Sequence, residues 1–93
     1  MELVYSDIMG PIWILLLNNS KYILIFIEHI SQYLKYYFIY NKTTEIILDC
    51  FKEYKAWVEN ITGKYIKILQ IDNRTKYINE DMRIYLKIYS IKH

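Results

Sequence analysis

Residues 41–63 read NKTTEIILDCFKEYKAWVENITG, and the period of their apolar side chains decides the architecture. Ile47, Phe51, Tyr54, Val58 and Ile61 recur at three- and four-residue steps, which is the spacing of one face of an α-helix, and Cys50 and Trp57 widen that stripe. Thr43 or Thr44 supplies an N-cap, Glu45 places an acid in the first turn, and Gly63 provides a stop. Lys52, Glu53, Lys55 and Glu59 occupy the opposite face and read as a solvated surface. The runs on either side have strand character, so the expectation is an amphipathic helix lying on a sheet.

Working outward toward the start, Leu34–Tyr40 (LKYYFIY) and Tyr22–Ile27 (YILIFI) are strand-like runs separated by the polar EHISQ, a spacing that suggests antiparallel neighbours. Before them, Gly10-Pro11 breaks the chain, and residues 2–6 (ELVYS) form a β-prone run ending at Asp7. Beyond the helix, Tyr65–Ile71 predicts a fourth strand. A last helix opens near Asn79, with Glu80 and Asp81 suited to its positive end and Met82, Tyr85, Leu86 and Tyr89 as its stripe. The order is β-β-β-α-β-α, a mixed α/β sheet in a single domain over residues 1–93, with no repeat or linker.

Composition narrows the function classes. With 54% hydrophobic and 24% charged residues the chain is globular, and at 93 residues its core is modest. A net charge of +2 with scattered basic residues does not by itself identify a nucleic-acid partner. One cysteine excludes an internal disulfide, and two distant histidines, His29 and His93, argue against structural zinc. The apolar runs PIWILLL and YILIFI are interrupted by Asn18, Asn19 and Lys21 and fall short of the roughly 18 residues of a spanning helix. No basic segment precedes a signal-like core. The expectation is a soluble intracellular chain, neither secreted nor membrane-bound.

Two acids stand at strand ends, Asp7 and Asp72. If the helix returns the fourth strand parallel to the first and beside it, both carboxylates emerge at one edge of the sheet, where α/β sheets place ligands. Such a pair can share a hard divalent cation such as Mg²⁺. Aspartates at such places also serve simply as turn formers, and the pattern leaves both readings open.

The blocks YSDIMGP, NNSKYILIFIEHIS, YYFIYNKTTE and FKEYKAWVENITGKYIKILQIDN are colinear, and in that order and spacing the chain resembles the integrase catalytic core of copia-type LTR retrotransposons from about Glu2 to His93. The resemblance implies an RNase H-like fold and an Asp-Asp-Glu triad holding two divalent metals, Mg²⁺ or Mn²⁺. It also implies DNA partners (the element's ends and a target), 3′-end processing followed by strand transfer, multimeric assembly and a nuclear site of action. Asp7 matches the first aspartate and Asp72 the second.

Several positions depart from the pattern. The triad glutamate belongs well downstream of the second aspartate; Glu80 is too close and reads as helix N-terminal charge. The fold is therefore expected to be truncated before the fifth strand and last helices, leaving the fourth strand with an unpaired apolar edge. Asn73-Arg74-Thr75-Lys76 replaces a glycine-rich acidic turn, so that Lys76 adds positive charge near the acids, while Arg74 and Lys76 could instead contact DNA phosphate. His29, within Glu28-His29-Ile30-Ser31, matches no triad position and reads as a turn histidine. Two expectations follow: part of an integrase core that joins DNA ends, or a catalytically inactive remnant of one that binds nucleic acid loosely or not at all.

Overall fold

The computed structural model describes residues 3–9, 22–39, 43–71 and 79–93. The elements are β1 (Leu3–Met9), β2 (Tyr22–Glu28), β3 (Leu34–Ile39), α1 (Thr44–Thr62), β4 (Ile68–Ile71) and α2 (Glu80–Ile88). The order β-β-β-α-β-α is as the periodicity predicts. The sheet runs β3-β2-β1-β4, antiparallel between β3 and β2 and between β2 and β1, and parallel between β1 and β4. That parallel return needs the long crossover that α1 supplies.

Alternation along each strand sorts the side chains. Val4, Ser6, Leu24, Phe26, Glu28, Ile39 and Leu69 are buried, and α1 adds Ile47, Leu48, Phe51, Tyr54 and Val58. Phe26 stacks on Tyr54 at 5.3 Å between centroids and tilts against Phe51 at 5.5 Å. The α2 helix lies alongside α1, with Phe51 edge-on to Tyr85 at 6.1 Å and Met82 and Leu86 fully buried. Gly63 ends α1 in the left-handed conformation (φ 69°), its N–H bonded to the Glu59 carbonyl. Asn79 caps α2, its Oδ1 accepting from the Met82 N–H at 3.0 Å.

Four expectations need correcting. Ile61, expected in the buried stripe, is exposed. Nineteen helical residues span ~28 Å, against roughly 20–23 Å for strands of this length, so the last turn overhangs the sheet. Lys55 and Glu59 do not form a solvated surface: each side chain is only 12% exposed, and they pair at 2.9 Å. Tyr89, expected in the second stripe, is exposed at the C-cap of α2, and Ile91 is buried beyond it. The fourth strand starts at Ile68 rather than Tyr65, because the Ile66 N–H donates to Glu59 Oε2 at 2.8 Å instead of to a strand neighbour.

The outer edge of β4 is also not bare. After α2 the chain turns at Ser90 (φ 55°), and Lys92 bridges parallel to Ile68. The Leu69 N–H donates to the Lys92 carbonyl at 2.7 Å, and the Lys92 N–H donates to the Lys67 carbonyl at 2.9 Å. A fifth position on the sheet therefore begins within these residues.

Candidate functional site

The geometry that matters most is the β1–β4 register: Leu3 opposite Ile68, Val4 opposite Leu69, Tyr5 opposite Gln70 and Ser6 opposite Ile71. The next residue in sequence on each chain segment is an aspartate, Asp7 after Ser6 and Asp72 after Ile71. Asp7 does not end its strand, as the sequence suggested. It pairs with Ile25, and Ile8 and Met9 continue opposite Leu24 and Ile23. What stops at Ser6 is the described pairing with β4, because β4 is described only to Ile71. Asp72, Arg74 and Lys76 lie outside the described residues.

Asp7 is half-buried, and its Oδ1 accepts from the Ile8 N–H at 2.8 Å. Val4 and Ser6 are buried under the helices, so alternation puts Tyr5, Asp7 and Met9 on the opposite face of the sheet. The carboxylate thus faces away from α1 and α2.

The other candidates lie elsewhere. His29 is exposed in the β2–β3 turn, with its N–H on the Leu3 carbonyl at 2.9 Å and its ring edge-on to Tyr5 at 5.7 Å. That is the opposite end of β1 from Asp7, about 13 Å along the strand. Glu80 is an exposed first-turn acid of α2. Glu45, Asp49 and Asp81 line a cleft where the N-terminal ends of both helices meet, a place where carboxylates are stabilised by helix dipoles. Among the described residues no group of three or more His, Cys, Asp or Glu could hold a metal ion. Burial, followed by the nearby Glu53 and Asp49, pushes the Cys50 thiol up to about 11, so it stays protonated and is no nucleophile.

One buried acid escaped the sequence reading. Glu28 is fully buried; its Oε2 accepts from the Ile30 N–H at 2.6 Å and its Oε1 from the Ser31 N–H at 2.7 Å. Burial alone would raise its pKa, but hydrogen bonds from the Ser31 side chain and from the Ile30 and Ser31 amides leave it below the usual carboxylate range. It holds the turn that carries Gln32 at φ 62°. An acid three residues before a serine at a strand end was the available signal.

Comparison with known proteins gives the lineage. No family model matches the chain. Over all 93 residues it is 33% identical to the retrovirus-related Pol polyprotein of transposon TNT 1-94 from Nicotiana tabacum and 31% identical to that of transposon RE2 from Arabidopsis thaliana. The chain is a homologue of a retrotransposon Pol segment. It spans only 7% and 6% of the lengths of those two polyproteins. Among solved structures, the simian T-cell lymphotropic virus intasome in complex with the PP2A regulatory subunit B56 gamma superposes with a TM-score of 0.78 at 12% identity, over 99% of this chain and 30% of that one. The HTLV-2 integrase catalytic core in complex with magnesium superposes with a TM-score of 0.72 at 13% identity, over 99% of this chain and 57% of that one. This Pol relative therefore has the fold of a retroviral integrase catalytic core, an RNase H-like α/β sheet. Among its described residues no helix is long and apolar enough to cross a membrane.

Proposed function

We infer that the chain is part of a copia-type integrase core, with Asp7 and Asp72 as two of the acids that hold divalent cations for DNA 3′-end processing and strand transfer. The observation that carries this reading is the parallel register, which runs to Ser6 opposite Ile71, one residue short of an aspartate on each side. The donor type fits a hard cation: Mg²⁺ is commonly held by one or two carboxylates with water and substrate phosphate completing its shell. When bound there, Mg²⁺ or Mn²⁺ would supply charge stabilisation for the attacking and leaving oxygens of a phosphodiester.

The protein's own contribution is positional. The Ile8 amide orients the Asp7 carboxylate, and pairing of β1 with both β2 and β4 fixes its backbone. Phosphate of the DNA substrate would meet Arg74 and Lys76, two cations within four residues of Asp72. Action on DNA in the nucleus, as a multimer, belongs to the same reading.

The alternative is a catalytically inactive remnant. Lys76 stands where an acid is usual in the cores the chain resembles, four residues from Asp72, and its positive charge would weaken cation binding there. The test is nicking of a DNA duplex carrying a retroelement end, with Mg²⁺ or Mn²⁺. Metal-dependent nicking lost in both Asp7→Asn and Asp72→Asn supports the enzymatic reading; nicking that appears only when Lys76 is replaced by an acid (Lys76→Glu) supports the inactive one.

A further inference from the structure

Among the described residues, two ion pairs of α1 differ in what they reach. Lys35 and Glu53 meet at 3.2 Å on the surface, where screening leaves such a pair little worth. Lys55 and Glu59 meet at 2.9 Å with each side chain only 12% exposed. Both oxygens of Glu59 are engaged: Oε1 faces the Lys55 ammonium, and Oε2 accepts from the Ile66 N–H at 2.8 Å. Lys55 Nζ also lies 4.2 Å from the centre of the Tyr89 ring. The pair thus joins α1 to the end of α2 and to the residue two places before β4.

Desolvating two charges costs more than burying an apolar pair of similar size, so stability alone does not account for them. What the carboxylate adds is aim. It fixes one backbone N–H with a bond about twice as strong as one between neutral groups. That N–H stands where the chain needs holding. The β4 strand has four residues, against six or seven in the other strands. Lys64, Tyr65 and Lys67, which lead into it, are exposed, and Ile66 is the buried residue among them. The Lys92 backbone holds the same stretch from the outer side, through Lys67 and Leu69. Glu59 holds it from the helix side.

We propose that Glu59 is a positioning residue for the candidate metal site. By gripping the entry of β4 it keeps that strand docked on β1, so that the segment leading to Asp72 stays beside the one carrying Asp7. The inference rests on the reading of those two acids given above. A strand that opens locally takes its acid with it, and the apparent metal affinity falls with the fraction of molecules in which the strand is docked.

The test compares two doubly substituted chains that differ in one acceptor. Lys55→Met with Glu59→Met replaces the pair by apolar side chains of similar length and leaves the Ile66 N–H without its acceptor. Lys55→Met with Glu59→Gln retains a carbonyl oxygen for that N–H. Both remove the buried charges, so both keep the fold; should the Met pair unfold, Lys55→Met with Glu59→Leu gives the same contrast. Amide hydrogen exchange read by NMR reports β4 through Leu69 and the centre of the sheet through Leu24. In the Met pair, protection at Leu69 is expected to fall about 10-fold relative to Leu24, and Mn²⁺ to broaden the Asp7 signal with about 3-fold weaker affinity. The Gln pair is expected to stay close to the unaltered chain in both readouts. Equal loss of protection at Leu24 and Leu69 makes Glu59 a general stabiliser and overturns the proposal. So does a Gln pair that behaves as the Met pair does, or an Mn²⁺ affinity that is unmoved while Leu69 opens. No broadening at Asp7 in the unaltered chain brings down the metal reading and the proposal with it, and the exchange data still show separately whether Glu59 holds β4.

Discussion

The two faces of this sheet are built from alternate residues of the same strands, yet they obey different rules. On the helix side, Phe26, Phe51 and Tyr54 interlock, and the Tyr54 hydroxyl crosses to the Tyr33 carbonyl at 2.7 Å. On that side the one acid drawn into the sheet, Glu28, is matched by two backbone amides. On the other side Ile25, Tyr36 and Phe38 have no helix over them among the described residues, and the acid is Asp7, half-buried within β1. One face stores stability and the other carries the candidate chemistry and the unpaired apolar surface. The difference teaches that the acids of this chain are told apart by the side of the pleat they occupy, not by their residue type.

That contrast can be broken by neighbouring substitutions. Phe26→Ala should destabilise the fold by about 3–5 kcal/mol, since it removes an aromatic ring from a closed core. Tyr36→Ala, on the open face, should cost well under half of that, to the extent of the partial contacts it loses. Urea unfolding of the two variants at low protein concentration measures both, and equal losses would mean that the faces are equally packed.

A smaller effect separates the two acids. Glu28→Gln should cost about 1–3 kcal/mol at neutral pH, because one of the two buried acceptor oxygens becomes an NH2 donor that faces a backbone N–H. The folded-state pKa of Glu28 is lowered, so its contribution is present above the ordinary carboxylate range and is lost as pH falls through that range and the lower folded value. Stability of the unaltered chain should therefore drop through that acid window, and Glu28→Gln should flatten the drop; an unchanged pH profile in the variant would remove Glu28 from the account.

The smallest effect belongs to the turn that Glu28 holds. Gln32 sits at φ 62°, a conformation that glycine adopts without a Cβ clash. Gln32→Gly should stabilise the fold by about 0.5 kcal/mol, the backbone gain being offset in part by the lost bond from Gln32 Nε2 to the His29 carbonyl at 2.7 Å. A melting temperature that falls on this substitution would show that the side-chain bond outweighs the backbone strain.

Much was legible without coordinates. The three- and four-residue steps from Ile47 to Val58, the start at Thr43 or Thr44 and the stop at Gly63 are local properties, so α1 could be read to within a residue. The same holds for the Asn79 cap of α2 and for the strand character of β2 and β3. Asp7 and Asp72 could be singled out because an acid at the end of an apolar run is conspicuous in one dimension. Ile61 and Tyr89 were misread because periodicity does not know where the sheet beneath a helix stops. Lys55 and Glu59 were misread because two opposite charges at a helical step of four can bury each other.

The sequence by itself therefore determined the elements and their order, and it singled out the candidate acids, since these depend on residues a few positions apart. Only the tertiary structure decided that β4 returns in register with β1, that Lys92 closes part of its outer edge, and that Asp7 faces away from the helices while Glu28 faces into them. Those facts rest on pairings between residues tens of positions apart. Slipping the register by one residue would turn every side chain of a strand to its other face, and no local preference along the chain encodes that choice.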